Sequence, residues 1–429
     1  MKLTRLLSAS HGSRFRQNFL KVARANVFAM ALPLLALPLL SRLFAPEDFG
    51  TLAIFAATLS LLLAFSTWRF DWVIPNARSL NVAGGLFTLG AAVLAAMCGL
   101  LTILIVFVDL GTPALALLAQ LDGLLWLLPV ALLGAGAKAL FSGWFVRKGD
   151  LTAVSRATIA QSVSNVGVSL GTGYLGMAAL GLILAYVVAS WAGIVTLVRN
   201  AGKTFRESLA RVTRHSLVVA ARRHGPNATW STLVAVVNAL SMNAPVLVLA
   251  LFYLPHEIGW YALMHRMVSA PTGALSSALG QSFWSQASEH ARARDIRAMK
   301  EIYRKTTLRL AIACIPVIAA CLAAPLYIGP LLGMAEWGGA GYVLLAMTPL
   351  FVGSLMFSPT NHLVVLNQQH LQLIVDILRL ALVVIAIVLA DYMEFGFYTA
   401  VALASTASFI GHFTLFLVHT RMHRKYERR

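Results

Sequence analysis

Twelve stretches of this chain are apolar over about 20 residues each, long enough to cross a hydrocarbon core roughly 30 Å thick. Spans are predicted near residues 22–42, 50–68, 82–108, 121–143, 152–172 and 175–198. After a basic stretch from Arg199 to His224, six more follow near 229–253, 258–284, 307–332, 340–366, 371–391 and 396–418. Backbone in hydrocarbon must satisfy its own polar groups, and runs of this length do so as helices. The balance of residues agrees, with 59% hydrophobic and only 12% charged, well outside the range of a soluble globular chain. The fold class that follows is an all-α integral membrane protein of about 12 transmembrane helices. The fifth span is the most polar, with Ser155, Thr158, Gln161, Ser162, Ser164 and Asn165, so it is expected to face protein or water.

A repeat divides the spans into two sets. LFAPEDFGTLA, from Leu43 to Ala53, has a second copy in FYLPHEIGWYA, from Phe252 to Ala262. Pro46 aligns with Pro255, Asp48 with Glu257, Gly50 with Gly259 and Ala53 with Ala262, all 209 positions apart (255 minus 46). Each copy reads as a tight acidic turn between two membrane helices, the proline ending the first and the acidic residues and glycine opening the next. The expected organisation is two pseudo-symmetric six-helix lobes. It comprises a basic cytoplasmic segment (1–25), an N-lobe (26–198), a basic cytoplasmic linker (199–228), a C-lobe (229–418) and a basic tail (419–429). Duplicated bundles are a transporter signature, since two similar halves can rock about a site between them.

Charge tests the topology, because lysine and arginine near span ends belong on the cytoplasmic side. Lys2 to Arg24, Arg69, Arg78, Arg147, Lys148, Arg199 to Arg223, Arg292 to Arg309 and the tail from Arg421 all fall on one side. The other side holds Arg42 and short acidic loops with Glu47, Asp48, Asp109, Asp122, Glu257, Glu336, Asp391 and Glu394. Both termini are therefore expected in the cytoplasm, the first span acting as an uncleaved insertion signal. Trp68, Trp72, Trp144, Trp230 and Trp284 mark the inner interface in this reading, and Trp260 and Trp337 the outer one. The net charge of +18 is explained by these short clusters and does not call for nucleic acid. In the linker, Phe205, Leu209, Val212 and Leu217 could lie on one side of a surface helix. The basic stretch from Glu289 to Arg309 reads as a second interfacial element facing anionic headgroups.

No phosphate-binding glycine loop, HExxH or CxxC pattern is present, and Cys98, Cys314 and Cys321 have no metal spacing. No catalytic residue, metal or cofactor is expected. Charges within the spans carry the information instead, since each costs on the order of 3 kcal/mol to insert. Arg266 lies six residues past Trp260, roughly 9 Å below the interface at 1.5 Å per residue. His265 is beside it and Pro271 follows; the equivalent position in the first copy is Ala57, so the shared fold does not require this charge. Lys138 sits among small residues in GAGAKALFSG and can either serve the substrate or snorkel towards Arg147. Arg156 is in the polar fifth span. Asp376 and Arg379 are three apart on one helical face, as a local ion pair would be. Arg69 and Asp71 form an interfacial basic-acidic pair, and His362 and His412 are lone histidines in apolar runs. Positive charge outweighs negative within the spans, which suits an anionic substrate.

SRLFAPEDFGTLAIF followed by WRFDWVIP resembles the amino-terminal signature of bacterial polysaccharide exporters of the O-antigen flippase type, in the multidrug, oligosaccharidyl-lipid and polysaccharide flippase superfamily. FWSQASEHARARD and APLYIGPLLGMAEWGGAGYVLLAMTPLF resemble the later signature of the same family. The resemblance implies movement of an undecaprenyl-diphosphate-linked oligosaccharide, an O-antigen, exopolysaccharide or capsule repeat unit, across the cytoplasmic (inner) membrane by alternating access. It implies a cationic cavity, for which Arg266, Lys138, Arg156 and Arg69 are the candidates. It also implies coupling to H+ or Na+, for which His265, Asp376, Arg379 and Asp71 are the candidates. Expected partners are the lipid-linked oligosaccharide, membrane lipids and the polysaccharide polymerase and other assembly proteins. Two alternatives stay open: an ion-coupled small-molecule or multidrug exporter on the same fold, and a membrane polysaccharide polymerase or ligase. The first would show more intramembrane carboxylates, the second a large periplasmic loop.

Overall fold

The computed structural model describes residues 24–107, 120–292, 296–333, 335–357 and 369–427, and among them the chain is helical without strands. The helices are α1 (Arg24–Leu43), α2 (Pro46–Ser66), α3 (Phe70–Val73), α4 (Leu80–Phe107), α5 (Leu127–Lys148), α6 (Leu151–Tyr174) and α7 (Ala178–Ala210). They continue as α8 (Arg214–Phe252), α9 (Pro255–Arg292), α10 (Ile296–Leu332), α11 (Ala340–Ala346), α12 (Thr348–Met356), α13 (Gln369–Tyr392) and α14 (Phe397–Glu427). Residues 1–23, Asp109 and His362 lie outside the described residues.

Among the described residues, nine helices are long and apolar enough to cross a membrane, and the bent pair of residues 335–346 and 348–356 makes a tenth span broken by 45°. With the polar helices α6 and α9 these account for the twelve expected spans. Polar residues of α6 do turn inward: Ser155, Ser162 and Ser169 are buried, and the Ser162 hydroxyl donates to the Ala29 carbonyl at 2.7 Å.

Both copies of the repeated motif use one device. Pro46 and Pro255 open α2 and α9 instead of closing the preceding helices, since a first-turn residue has no hydrogen bond for its missing N–H to lose. Two residues later the acid reaches back to the residue before the proline. The Asp48 carboxylate accepts from the Ala45 amide at 2.9 Å, and Glu257 accepts from the Leu254 amide at 3.0 Å.

The chain packs as two compact units, one of residues 1–43 and 59–236, the other of 44–58 and 237–429. Packing thus divides the chain at Val236 rather than within the 199–228 linker, and gives the first part of α2 to the second unit. In the first unit α6 packs along α7, and α5 packs between α7 and α4. Gly134 on α5 makes room for this, with Ser190 Cβ and Trp191 Nε1 of α7 only 3.2 Å from where its Cβ would be. The linker region is helical: α7 bends at Gly202 and runs on to Ala210, and α8 begins at Arg214. Phe205 is buried there, while Leu209, Val212 and Leu217 are partly covered.

In the second unit α13 packs along α14, and α10 lies against α11 and α12. The two motif copies meet here. A Cβ on Gly50 would collide with the Pro255 carbonyl oxygen, and one on Gly259 with the Pro46 carbonyl oxygen, so the contact is reciprocal. Glu47 and His256, equivalent positions in the repeat, face each other at 4.0 Å. Trp144 and Trp337, expected at the interfaces, are instead fully buried. Aromatic neighbours explain it: Trp144 packs on Phe205 at 5.1 Å and Trp337 on Phe49 at 5.4 Å.

Candidate functional site

Ionisable groups cannot rest against hydrocarbon, so where helices carry several on one face they must enclose a polar space or pair. The second unit does both. α8, α9, α12, α13 and α14 surround a cavity of about 330 Å³ lined by Tyr261, His265, Arg379 and His412 and by the hydroxyls of Ser269, Thr272, Ser276 and Ser405, among others. On α9 the lining residues recur at helical spacing, 261, 265, 269, 272 and 276, which puts one polar stripe towards the cavity. That stripe contributes to the low hydropathy of α9. Tyr261 stacks on His265 with ring centroids 6.0 Å apart, and His265 lies 6.0 Å from Phe351 of α12.

Arg379 is the hub. Its Nη2 lies 3.2 Å from the Asp376 carboxylate one turn earlier on α13, and its Nη1 lies 2.9 Å from His412 Nε2 on α14. The other ring nitrogen of His412 is 2.8 Å from the Ser408 carbonyl. A guanidinium has no lone pair to offer, so Nε2 accepts and Nδ1 carries the proton donated to Ser408. The imidazole is therefore neutral in this arrangement. The arginine stem runs across Gly411, where an added Cβ would lie 2.5 Å from Arg379 Cγ. In the chain Asp376–Arg379–His412–Ser408 a proton can be taken up at the Asp376 carboxylate or at His412 Nε2, and each uptake removes one of the two partners of Arg379.

The remaining expected residues are dispersed. Arg266 is half-buried and has a partner, but one position along from His265 it lies about 100° round the helix and is not among the residues lining this cavity. Lys138 is in the first unit, where its ammonium hydrogen-bonds the Gln161 side chain of α6 and its stem passes Gly193 of α7, 3.2 Å from where an added Cβ would be. It does not run to Arg147, which donates to the Ala77 carbonyl at 2.7 Å instead. Arg156 is exposed on α6. Arg69 has left-handed backbone (φ 54°) and stacks on Trp72, 4.5 Å from guanidinium to ring. Burial lowers the Arg69 pKa and the nearby Asp71 charge raises it in part. Asp71 is itself buried and accepts from the Thr67 hydroxyl at 2.8 Å. Of the coupling candidates, His265, Asp376 and Arg379 thus come together and Asp71 does not. His412 completes the group, and the one sequence signal for it was a histidine within an apolar run.

Among the described residues no group of three or more His, Cys, Asp or Glu side chains could hold a metal ion. Cys314 and Cys321 are buried and unpaired, and Cys98 is half-buried, 3.6 Å from the Pro129 carbonyl.

The family described as polysaccharide biosynthesis protein matches residues 39–340. No curated protein sequence matches the chain. Among solved structures, a multidrug resistance MATE family transporter of the MOP superfamily, in an inward-facing conformation, has a TM-score of 0.68 at 14% identity, covering 94% of this chain and 99% of its own. The lipid II flippase MurJ, in an inward closed conformation, has a TM-score of 0.69 at 13% identity, covering 93% and 87%. A eukaryotic MATE transporter has a TM-score of 0.55 at 16% identity, covering 97% and 99%. At these identities the likeness is one of fold.

Proposed function

Because the chain belongs to the polysaccharide biosynthesis protein family, we propose that it carries an undecaprenyl-diphosphate-linked oligosaccharide from the cytoplasmic to the periplasmic leaflet of the bacterial inner membrane by alternating access. The family match across residues 39–340 carries this reading, and the fold shared with a lipid II flippase supports it. A diphosphate and its sugars cannot cross hydrocarbon unaided. Basic side chains have to replace their water, while the polyprenyl tail stays in lipid. Arg266, Lys138, Arg156 and Arg69 are the residues proposed to meet the diphosphate. No bond is made or broken in this reading.

A cavity of about 330 Å³ is at the small end of ligand sites, far short of a repeat unit with its lipid. We therefore assign it to coupling, with Asp376, Arg379 and His412 as the responding group and His265 beside them. Of H+ and Na+, the proton fits better, because a guanidinium already fills the cation's place beside Asp376. Protonation at His412 Nε2 sets two cations face to face and expels Arg379; protonation of Asp376 releases its other partner.

The test is deletion of the gene in its native host, followed by the leaflet distribution of undecaprenyl-linked glycan. Complete repeat units held in the cytoplasmic leaflet, with no surface polymer, are expected. Units accumulating in the periplasmic leaflet would indicate a polymerase or ligase. Unchanged lipid-linked glycan would favour a small-molecule exporter, a reading that the cavity volume and the MATE likeness otherwise support. In the complemented strain, Arg266→Ala should abolish surface polysaccharide at unchanged protein level, and Arg266→Lys should keep part of it.

A further inference from the structure

The basic end of the first unit is built, and its construction points to a ligand. At Gly202 the backbone takes φ 67° and ψ −173°, a conformation glycine adopts freely, while an added Cβ would meet nothing within 4 Å. Glycine is needed there for the bend and not for space. Beyond the bend, Phe205 drops into a nest of Phe87, Phe141 and Trp144 at 5.0–5.1 Å between ring centroids. Ser208 lies on Gly84 of α4, where an added Cβ would be 2.9 Å from the Ser208 carbonyl oxygen. Ala220, early in α8, faces the adjacent Gly85, its Cβ 3.9 Å from where an added Cβ would be. The segment is thereby laid across the end of the bundle with its apolar side down.

Its other side presents charge. Lys203, Arg206, Arg211, Arg214, Arg222 and Arg223 are all exposed. The acids nearby do not neutralise them. Glu207 reaches Lys203 only at 3.9 Å with both side chains in solvent, Asp71 is taken by Thr67, and Asp150 caps α6 through the Ala153 amide. Three exposed tryptophans stand at the same end: Trp72 is 67% exposed, Trp230 58% and Trp68 41%. Trp68 donates to the Thr229 hydroxyl at 3.0 Å, which ties it to the same turn of α8 that carries Trp230, and Trp72 carries the Arg69 guanidinium. Exposed indoles on a membrane helix bundle mark the level of the lipid headgroups.

We propose that this face docks on anionic phospholipid, with the segment beyond Gly202 lying in the membrane plane and Lys203, Arg206 and Arg211 bound to headgroup phosphates. Charge complementarity and the shared level of the tryptophans carry the assignment. It does not depend on which solute the protein transports.

The full-length protein, purified in detergent with equal phosphatidylglycerol and phosphatidylethanolamine, should retain the anionic lipid preferentially, as read by native mass spectrometry. Replacing Lys203, Arg206 and Arg211 together by glutamine should cut that preference about tenfold, as expected for losing several surface cations near phosphate. Arg42→Gln, at an exposed arginine expected on the opposite, acidic side, should change it less than twofold. Phe205→Ala, which keeps every charge but unseats the segment, should also weaken the preference. Equal retention of both lipids by the unaltered protein would overturn the proposal. So would a loss from Arg42→Gln as large, per charge removed, as that from the triple variant, which would mean net charge alone.

Discussion

Arg379 is held by a carboxylate on its own helix and an imidazole on the next, so its removal leaves two half-buried polar groups without their partner. Arg379→Gln should lower unfolding stability by about 1–3 kcal/mol, the usual cost of a stranded polar group. Adding Asp376→Asn should return part of that loss, because the stranded charge goes with it. Thermal unfolding of the single and double variants in detergent measures the coupling, and strict additivity would show that the pair does not interact. Gly411→Val should have a comparable effect without touching a charge, by pushing the Arg379 stem aside. The ion pair was legible in the sequence as an i, i+3 spacing. Its continuation to His412 was not, because the spacing of 33 residues between them is set by how α13 and α14 pack. Lys138 teaches the same lesson: its helix and its polar neighbour Gln161 were both visible, but not that they would meet.

Helices declare themselves locally, through apolar length and through the residues at their ends, and so each expected span is met by helix among the described residues. Sequence could not place the 45° break at Met347 or the bend at Gly202, since each answers to packing by other segments. It also misassigned the motif prolines, which open helices here. Contact between the motif copies makes an element-scale prediction. Gly259→Ala sets a methyl group against the Pro46 carbonyl, which belongs to backbone and cannot swing away, and should cost about 1–3 kcal/mol as overpacking does. Gly99→Ala, on α4 where nothing lies within 4 Å, should be neutral or stabilising by about 0.5–1 kcal/mol. The two unfolding temperatures, taken side by side, separate crowding from any general effect of losing a glycine.

At the level of the whole chain, the family, the membrane class and a two-part organisation were readable from the motifs, the apolar runs and the repeat, whereas the company that residues 44–58 keep was not. Residues 44–58 leave their sequence neighbours and pack with 237–429, where Phe49 meets Trp337. A fragment of residues 237–429 expressed alone should therefore be degraded or aggregate, and co-expression of 1–236 should restore a membrane-inserted, protease-resistant product. Recovery of the fragment on its own would show that the borrowed segment is dispensable. The reciprocal seat of Gly50 and Gly259 on each other's proline carbonyls has a genetic consequence. A gene doubled end to end normally frees each half to drift, but here extra bulk in one half is felt as crowding by the other. Suppressors of a lesion at Gly259 should accordingly be found some two hundred codons upstream, beside Pro46.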